Sequence, residues 1–337
     1  MTIKFAIAGA GYIADYHARA IQSLEDAEIT AVVEKFPEKG SPFARKYSIP
    51  RQHTTLDEML QAGGVDALVI GTPNFLHAPQ SVAALQAGIH VMVEKPMALN
   101  AAAAQTMLAA SRETGAHLMV AHCWRFDEEV RWLKTRLDEG HIGPIIRTMG
   151  YGVHTHWGPS GWFTQKSLSG GGALVDMGIH AIDTARFLLG DPQPVSVYAV
   201  IDTHYGDYDV DDTGIIHINW DNGATSTIES GWWQPHMDGP EAATRLYGSQ
   251  GYGSVFPTHL EVPDPVQQRV DVIDGGFPFP RDEHCPQVMY TTQMAHFAAC
   301  IREGTAPNPG GEEGLVNMKI VDAAYASALS AEVVVIQ

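Results

Sequence analysis

Short apolar runs and amphipathic stretches take turns through the first 121 residues of the chain. Residues 3–8 form an apolar run of strand length, and a helical spacing follows through Ile21 and Leu24. A second strand is expected over 28–33, then strand 67–70, helix 77–87, strand 89–93, helix 101–114 and strand 117–121. Strands separated by helices predict a parallel, doubly wound sheet. Past Ala121 the rhythm changes. Residues 128–137 read as a helix, after which strands dominate, over 145–153, 195–203, 214–220, 224–230 and 244–247. Asp221-Asn222-Gly223, between two alternating runs, predicts a hairpin.

The first strand runs into Gly9-Ala10-Gly11-Tyr12-Ile13-Ala14, and a helix follows. This is the strand–turn–helix setting of a dinucleotide fingerprint. Gly9 permits the tight turn, Gly11 lets the backbone approach a pyrophosphate, and Ala14 keeps helix and strand close. Backbone N–H groups at the helix start then receive the phosphates. The second strand ends in Glu34, about 20 residues on, where an acid accepts hydrogen bonds from a ribose and repels a 2′-phosphate. NAD is therefore expected over NADP, with Lys35 next door leaving NADP open. Ligands on such a sheet sit beyond the carboxyl ends of its strands. Two strand ends there carry chemistry, Gly71-Thr72-Pro73-Asn74 with His77, and Glu94-Lys95-Pro96. A lysine in that place can stabilise an alkoxide as it forms.

The densest candidate chemistry lies further on, in Gly170–Asp183, where a glycine turn precedes an expected helix bearing Asp176 and His180. Four helical residues make about one turn, roughly 6 Å, so the two side chains share a face. A carboxylate beside an imidazole suits general acid–base work near neutral pH. Asp183, a further turn along, reads as a supporting residue. Upstream lie His154, His156, Trp157, Trp162 and Phe163: indole faces stack on sugar rings and histidines read hydroxyls, while a packed loop explains the cluster equally well. Trp124-Arg125-Phe126 offers Arg125 either to a substrate or to bracing between domains. His154-x-His156 with Asp176 and His180 lacks the tight helix signature of a zinc hydrolase, so no metal is expected. The loop 231–240 and the stretch 257–286 are rich in proline, glycine and acids, and shape either a pocket or a subunit contact.

Bulk properties narrow the class. At 337 residues the chain is long for one core and comfortable for two. A net charge of −18, spread and not gathered in a tail, argues against a nucleic-acid partner. Cys123, Cys285 and Cys300 form no CxxC pair and are too scattered for a disulfide framework. No apolar run approaches the ~20 residues of a membrane span, and the N-terminus lacks a signal peptide's layout. A soluble cytoplasmic protein is expected.

Taken in order, Gly9–Ala14, Gly71–Asn74 with His77, Glu94–Pro96, Gly170–Asp183 and the closing segment 311–336 resemble the Gfo/Idh/MocA family of NAD(P)-dependent sugar and cyclitol oxidoreductases. The resemblance implies a Rossmann domain over 1–122 and an α+β domain over 123–337, built on a large open, mostly antiparallel sheet, with the last helix returning to the Rossmann domain. It implies Lys95, Asp176 and His180 as the catalytic group. It assigns cofactor contacts to Gly9, Gly11, Tyr12, Ile13, Glu34, Thr72, Pro73, Asn74, His77, Glu94 and Lys95, and substrate contacts to Arg125, His154, Trp157 and Trp162. Glu34 stands where the family usually has Asp. The activity implied is hydride transfer between nicotinamide and a secondary alcohol or ketone of a sugar or cyclitol. An NAD-dependent glycosidase or lyase and a non-catalytic ligand sensor are the alternatives. The open sheet needs a cover, so a homodimer or homotetramer is expected, with no membrane partner.

Overall fold

Among the apolar runs of the first 121 residues, 67–70 and 118–121 are parallel strands buried on both faces and 3–8 is buried but for Lys4, which requires helices on both sides of the sheet. The computed structural model describes residues 2–234 and 241–336. Its chain falls into two units, Met1–Cys123 with Pro286–Leu315, and Trp124–Cys285 with Val316–Gln337.

The first unit alternates β1 (Ile3–Ala8), α1 (Tyr12–Gln22), β2 (Ala27–Val33), α2 (Pro37–Tyr47), β3 (Arg51–His53), α3 (Leu56–Ala62), β4 (Ala67–Ile70), α4 (His77–Gln86), β5 (His90–Glu94), α5 (Ala101–Thr114) and β6 (Leu118–Ala121). The sheet order is β3-β2-β1-β4-β5-β6, all parallel. Strand order reverses between β1 and β4, the switch point beyond which ligands bind in open α/β sheets. Three elements here lie outside the sequence expectation: α2, β3 and α3. Helix α2 carries Pro42 in its interior, a residue that normally breaks a helix, so its signal is weak. Helix α3 is closed by a capping box between Thr55 and Glu58.

The second unit holds α6 (Glu128–Asp138), β7 (Ile145–Val153), α7 (Lys166–Ser169), α8 (Ile179–Leu188), β8 (Pro194–Asp202), β9 (Thr213–Trp220), β10 (Thr225–Gly231), β11 (Ala242–Gly248), β12 (Tyr252–Val255), β13 (His259–Asp264) and β14 (Arg269–Asp274). Next come α9 (Gln287–Glu303), which belongs to the first unit, then α10 (Gly311–Ser330) and β15 (Val334–Val335). Nine strands run in the order β14-β13-β12-β11-β7-β10-β9-β8-β15. All pairings are antiparallel except β7 with β10. The hairpin expected at Asp221-Asn222-Gly223 joins β9 to β10, with Gly223 at φ +83°.

One face of this sheet takes α8 and the turn before it; on the other, Met149, Tyr198, Val200 and Ile215 are exposed. Along the register, Tyr198, His217, Thr227, Met149 and Arg245 form one row of the open face. Val200, Ile215, Glu229 and Tyr151 form the next. The stretch 257–286, whose structure its proline, glycine and acidic residues do not disclose, is partly regular. It contains the β13–β14 hairpin, and Arg281 pairs with Asp127 at 2.6 Å and Glu129 at 3.2 Å. Of the loop 231–240, residues 235–240 lie outside the described residues. Among the described residues no helix is long and apolar enough to cross a membrane.

Candidate active site

In the first unit the site is made from backbone. Gly9 stands at φ +90°, and a Cβ there would lie 2.7 Å from the Gly71 carbonyl oxygen, so the turn fits only glycine. Gly9 N–H donates to Val33 O at 2.8 Å, and Gly71 N–H to Ala8 O at 2.9 Å, which locks turn and strand end together. Ile13 packs against Gly71. Gly11 caps α1 without a side chain and has open space where its Cβ would be. The first N–H groups of an eleven-residue helix are thus approachable, which fits a pyrophosphate. Glu34 accepts Ala10 N–H at 2.9 Å and Phe36 N–H at 3.0 Å, so its carboxylate is fixed beside the glycine turn. Gly40 makes room for it, since a Cβ there would sit 3.1 Å from Glu34 Cβ. Tyr12 is exposed, with its hydroxyl 2.9 Å from that of Tyr16.

At the ends of β4 and β5, Thr72 donates to Gln80 at 2.8 Å, and Asn74 is buried. Two expected cofactor residues have inward roles. Glu94 is buried and paired with His17 at 2.7 Å, and it also takes the Lys95 N–H at 3.2 Å. His77 is fully buried with its ring nitrogens against the Thr72 and Pro96 carbonyls. Burial pushes its pKa below the ordinary histidine value. Lys95 is half-buried.

The second unit contributes side chains. The expected helix from Gly170 starts as a wider turn: Leu174–Gly178 is π-helical and only Ile179 begins α8. Asp176 and His180 therefore lie on two kinds of helix, which corrects the single α-turn reading. Such π-turns gather at functional sites. Glycines explain how the turn fits. A Cβ on Gly152 of β7 would lie 2.2 Å from the Met177 carbonyl, and one on Gly178 would lie 2.7 Å from Ser230 Cβ. Asp211 holds the start, its carboxylate accepting Gly172 N–H at 2.7 Å, Leu174 N–H at 2.8 Å and the Tyr325 hydroxyl at 2.6 Å. Burial pushes the Asp211 carboxyl up, against those three bonds.

Around Asp176 two further expected residues, His154 and Trp157, meet. Asp176 accepts Trp232 Nε1–H at 3.0 Å and lies 3.4 Å from His154 Nε2. His154 Nδ1 is 3.1 Å from Glu241, which also takes Trp157 Nε1–H at 2.9 Å. The His154 and Trp157 rings stack with centroids 3.6 Å apart. Burial penalises a charged His154, but the carboxylates on both sides overcome it and raise its pKa above the ordinary histidine value. His180 stacks on Trp124 at 4.9 Å, and the edge of His284 meets the same indole at 5.5 Å. Trp157 remains 46% exposed, so one aromatic face is offered outward.

Other expected residues fall elsewhere. Trp162 stacks on Phe163 at 3.8 Å, and among the described residues no hydrogen bond or ring contact ties it to the Asp176 cluster. His156 is exposed, at φ +61°. Arg125 has a different occupation from substrate contact. It is 3% exposed, bonded at two points to Asp183 (2.8 Å each) and at two to Asp191 (3.0 and 2.8 Å). Asn317 Nδ2 donates to the same Asp183 at 2.8 Å, so Asp183 anchors α8 as part of this network. Sequence reading missed Asp211, Trp232, Glu241, His284 and the stacking role of Trp124. The only available signal was Trp232-Trp233 at a strand end. Among the described residues no group of three His, Cys, Asp or Glu side chains could hold a metal ion.

Comparison with known proteins agrees with both halves. The model described as "Oxidoreductase family, NAD-binding Rossmann fold" of GFO_IDH_MocA matches residues 3–122, and the GFO/IDH/MocA C-terminal domain matches 130–253. Inositol 2-dehydrogenase of Rhizobium meliloti is 30% identical over 97% of each chain. The scyllo-inositol 2-dehydrogenase (NAD(+)) of Bacillus subtilis is 27% identical over 94% of this chain and 92% of its own. A crystal structure of aldose-aldose oxidoreductase from Caulobacter crescentus superposes over 100% of both chains with a TM-score of 0.86 and 28% identity.

Proposed function

Because this chain belongs to the Gfo/Idh/MocA oxidoreductase family with its NAD-binding Rossmann fold, we propose that it oxidises a secondary alcohol of a sugar or cyclitol, reversibly, with residues 1–122 holding NAD and 123–337 the substrate. The observation that carries the reading is the buried Asp176, held by Trp232 and His154, on the turn that leads directly into His180. Similarity to inositol 2-dehydrogenase and aldose-aldose oxidoreductase supports the substrate class. Those relatives favour net oxidation over a glycosidase or lyase, and three acid–base residues disfavour a sensor.

Gly9, Gly11, Tyr12, Ile13 and Glu34 hold the dinucleotide, with Thr72, Pro73 and Asn74 at the neighbouring strand end. NAD supplies the hydride acceptor when bound. His180 takes the hydroxyl proton, Asp176 orients the hydroxyl and supports the imidazolium, and Lys95 stabilises the developing alkoxide. Trp157 offers its face to the apolar side of a ring, and His154, with its two nitrogens on Asp176 and Glu241, steadies the carboxylate that meets the hydroxyl. The fixed Glu34 carboxylate selects NAD over NADP. Lys95→Ala and His180→Ala each lower kcat by roughly 10²–10⁴ with NAD still bound; near-full kcat in both would refute the assignment. A higher kcat/KM with NADP than with NAD would refute the role of Glu34.

The open sheet face, with Ile215, Val200 and Met149 exposed along it, is covered by a second copy in a homodimer or homotetramer. Light scattering that finds only monomer at micromolar concentration would contradict this. Because its reaction depends on NAD, a cofactor held inside the cell, the protein works in the cytoplasm.

A further inference from the structure

Lys95 sits in a loop, and loops are ordinarily the mobile parts of a fold. This one is tied on both sides of the lysine by buried imidazoles from two helices. Ahead of the side chain, Lys95 N–H donates to the Glu94 carboxylate at 3.2 Å, whose other oxygen lies 2.7 Å from Nε2 of His17 on α1. Behind it, the Pro96 carbonyl oxygen lies 2.8 Å from Nδ1 of His77, the first residue of α4. The opposite nitrogen of the same ring, Nε2, lies 2.8 Å from the Thr72 carbonyl oxygen at the end of β4. His77 therefore stands between the two loops that close the strand ends of the first unit.

We propose that His77 is a positioning residue that sets where Lys95 stands, by donating its Nδ1–H to the Pro96 carbonyl. Burial holds the ring below the ordinary histidine range against the pull of the two carbonyls and Glu94, with Lys95 adding to the lowering. At neutral pH the ring thus carries one proton. Its better place is Nδ1, because the Pro96 contact is buried, while the Thr72 contact is part-buried and leaves that carbonyl room to turn from the bare Nε2 to water. Histidine suits the task because a flat, rigid ring fills the gap between two loops and still presents a donor at one edge. The consequence for Lys95 rests on its role in the proposed reaction, but the tie itself does not.

The test compares His77→Ala, His77→Asn and His77→Gln, each alone and with Lys95→Ala. Asparagine places an amide near the Nδ1 position and glutamine places one near Nε2, so only asparagine restores the donor to Pro96. With the best alcohol of a cyclitol and aldose panel, His77→Ala lowers kcat by about 10–100-fold, the scale of a misplaced catalytic group. NAD affinity stays close to wild type, and every variant is folded at the assay temperature, although the lost buried hydrogen bond lowers the melting temperature of Ala and Gln. Asparagine recovers most of the rate and glutamine little, and in the Lys95→Ala background His77→Ala costs nothing more. Equal rates for Asn and Gln, an unchanged cost in the double variant, or a rate loss matched by loss of folded protein at the assay temperature would overturn the proposal. If Lys95→Ala keeps its rate, the catalytic assignment of Lys95 has failed, and hydrogen exchange over residues 94–98 then reads the tie without turnover. Exchange faster in the Ala and Gln variants than in wild type and Asn supports it; equal exchange in all four overturns it.

Discussion

Glu34 and Asp176 are the carboxylates that the two units bring to their candidate sites, and they are held in opposite ways. Glu34 is fixed by backbone N–H groups of Ala10 and Phe36, in a turn whose shape is dictated by Gly9 and Gly71. Asp176 is fixed by side chains, the Trp232 indole at the end of β10 and the His154 ring just past β7, with Glu241 bracing His154 from the start of β11. Those three strands are neighbours only in the sheet, in the order β11-β7-β10. A dinucleotide is much the same in every enzyme that uses it, so a backbone cradle serves. A substrate hydroxyl differs from enzyme to enzyme, and side chains are what a fixed sheet can vary.

The sharpest way to break this contrast is Gly9→Ala. The new Cβ meets φ +90° and a carbonyl oxygen at 2.7 Å. Strain at such a position with backbone overpacking costs about 3 kcal/mol; the free turn sheds it by relaxing, and NAD, which needs the native turn, then binds roughly two orders of magnitude more weakly. Calorimetry with NAD checks it, and unchanged affinity would mean the cradle is not made by backbone shape. Trp232→Phe makes the complementary test. It removes the indole donor to a buried carboxylate, an interaction of about 1.5–3 kcal/mol. kcat falls while NAD affinity holds; a variant with wild-type kcat would show that Asp176 needs no such support.

The smallest effect is in pH. His154 titrates above its unfolded value of about 6.5. A raised folded pKa stabilises fully below the unfolded value, and that stability is lost as pH rises through the folded pKa. The slope cannot exceed about 1.4 kcal/mol per pH unit for one proton. Melting curves of wild type and His154→Gln converge as the pH rises above that range. Curves that stay parallel would remove His154 from the charged network.

The same contrast explains what the sequence disclosed. Gly9, Gly11, Glu34, Thr72–Asn74 and Lys95 are local to their turns, so spacing alone places them at the strand ends of the first sheet. The hairpin at Gly223 and the strands 145–153 and 213–220 were equally legible from alternation. The π-turn was not, because its cause lies in Gly152 and Ser230, which only the sheet brings against Met177 and Gly178. Asp211, Trp232 and Glu241 carry no local signal either, since each acts across the register. The sequence offers Arg125 either to a substrate or to bracing between domains. Its guanidinium is instead committed to Asp183 and Asp191, carboxylates far along the chain.

The most direct measurement is NADH absorbance when purified protein meets NAD and a panel of cyclitols, aldoses and glycosides, with Lys95→Ala and His180→Ala alongside. The account predicts NADH formation with one substrate class, lost in both variants. NAD that binds while every member of the panel leaves absorbance unchanged, or a signal that survives both substitutions, would contradict it.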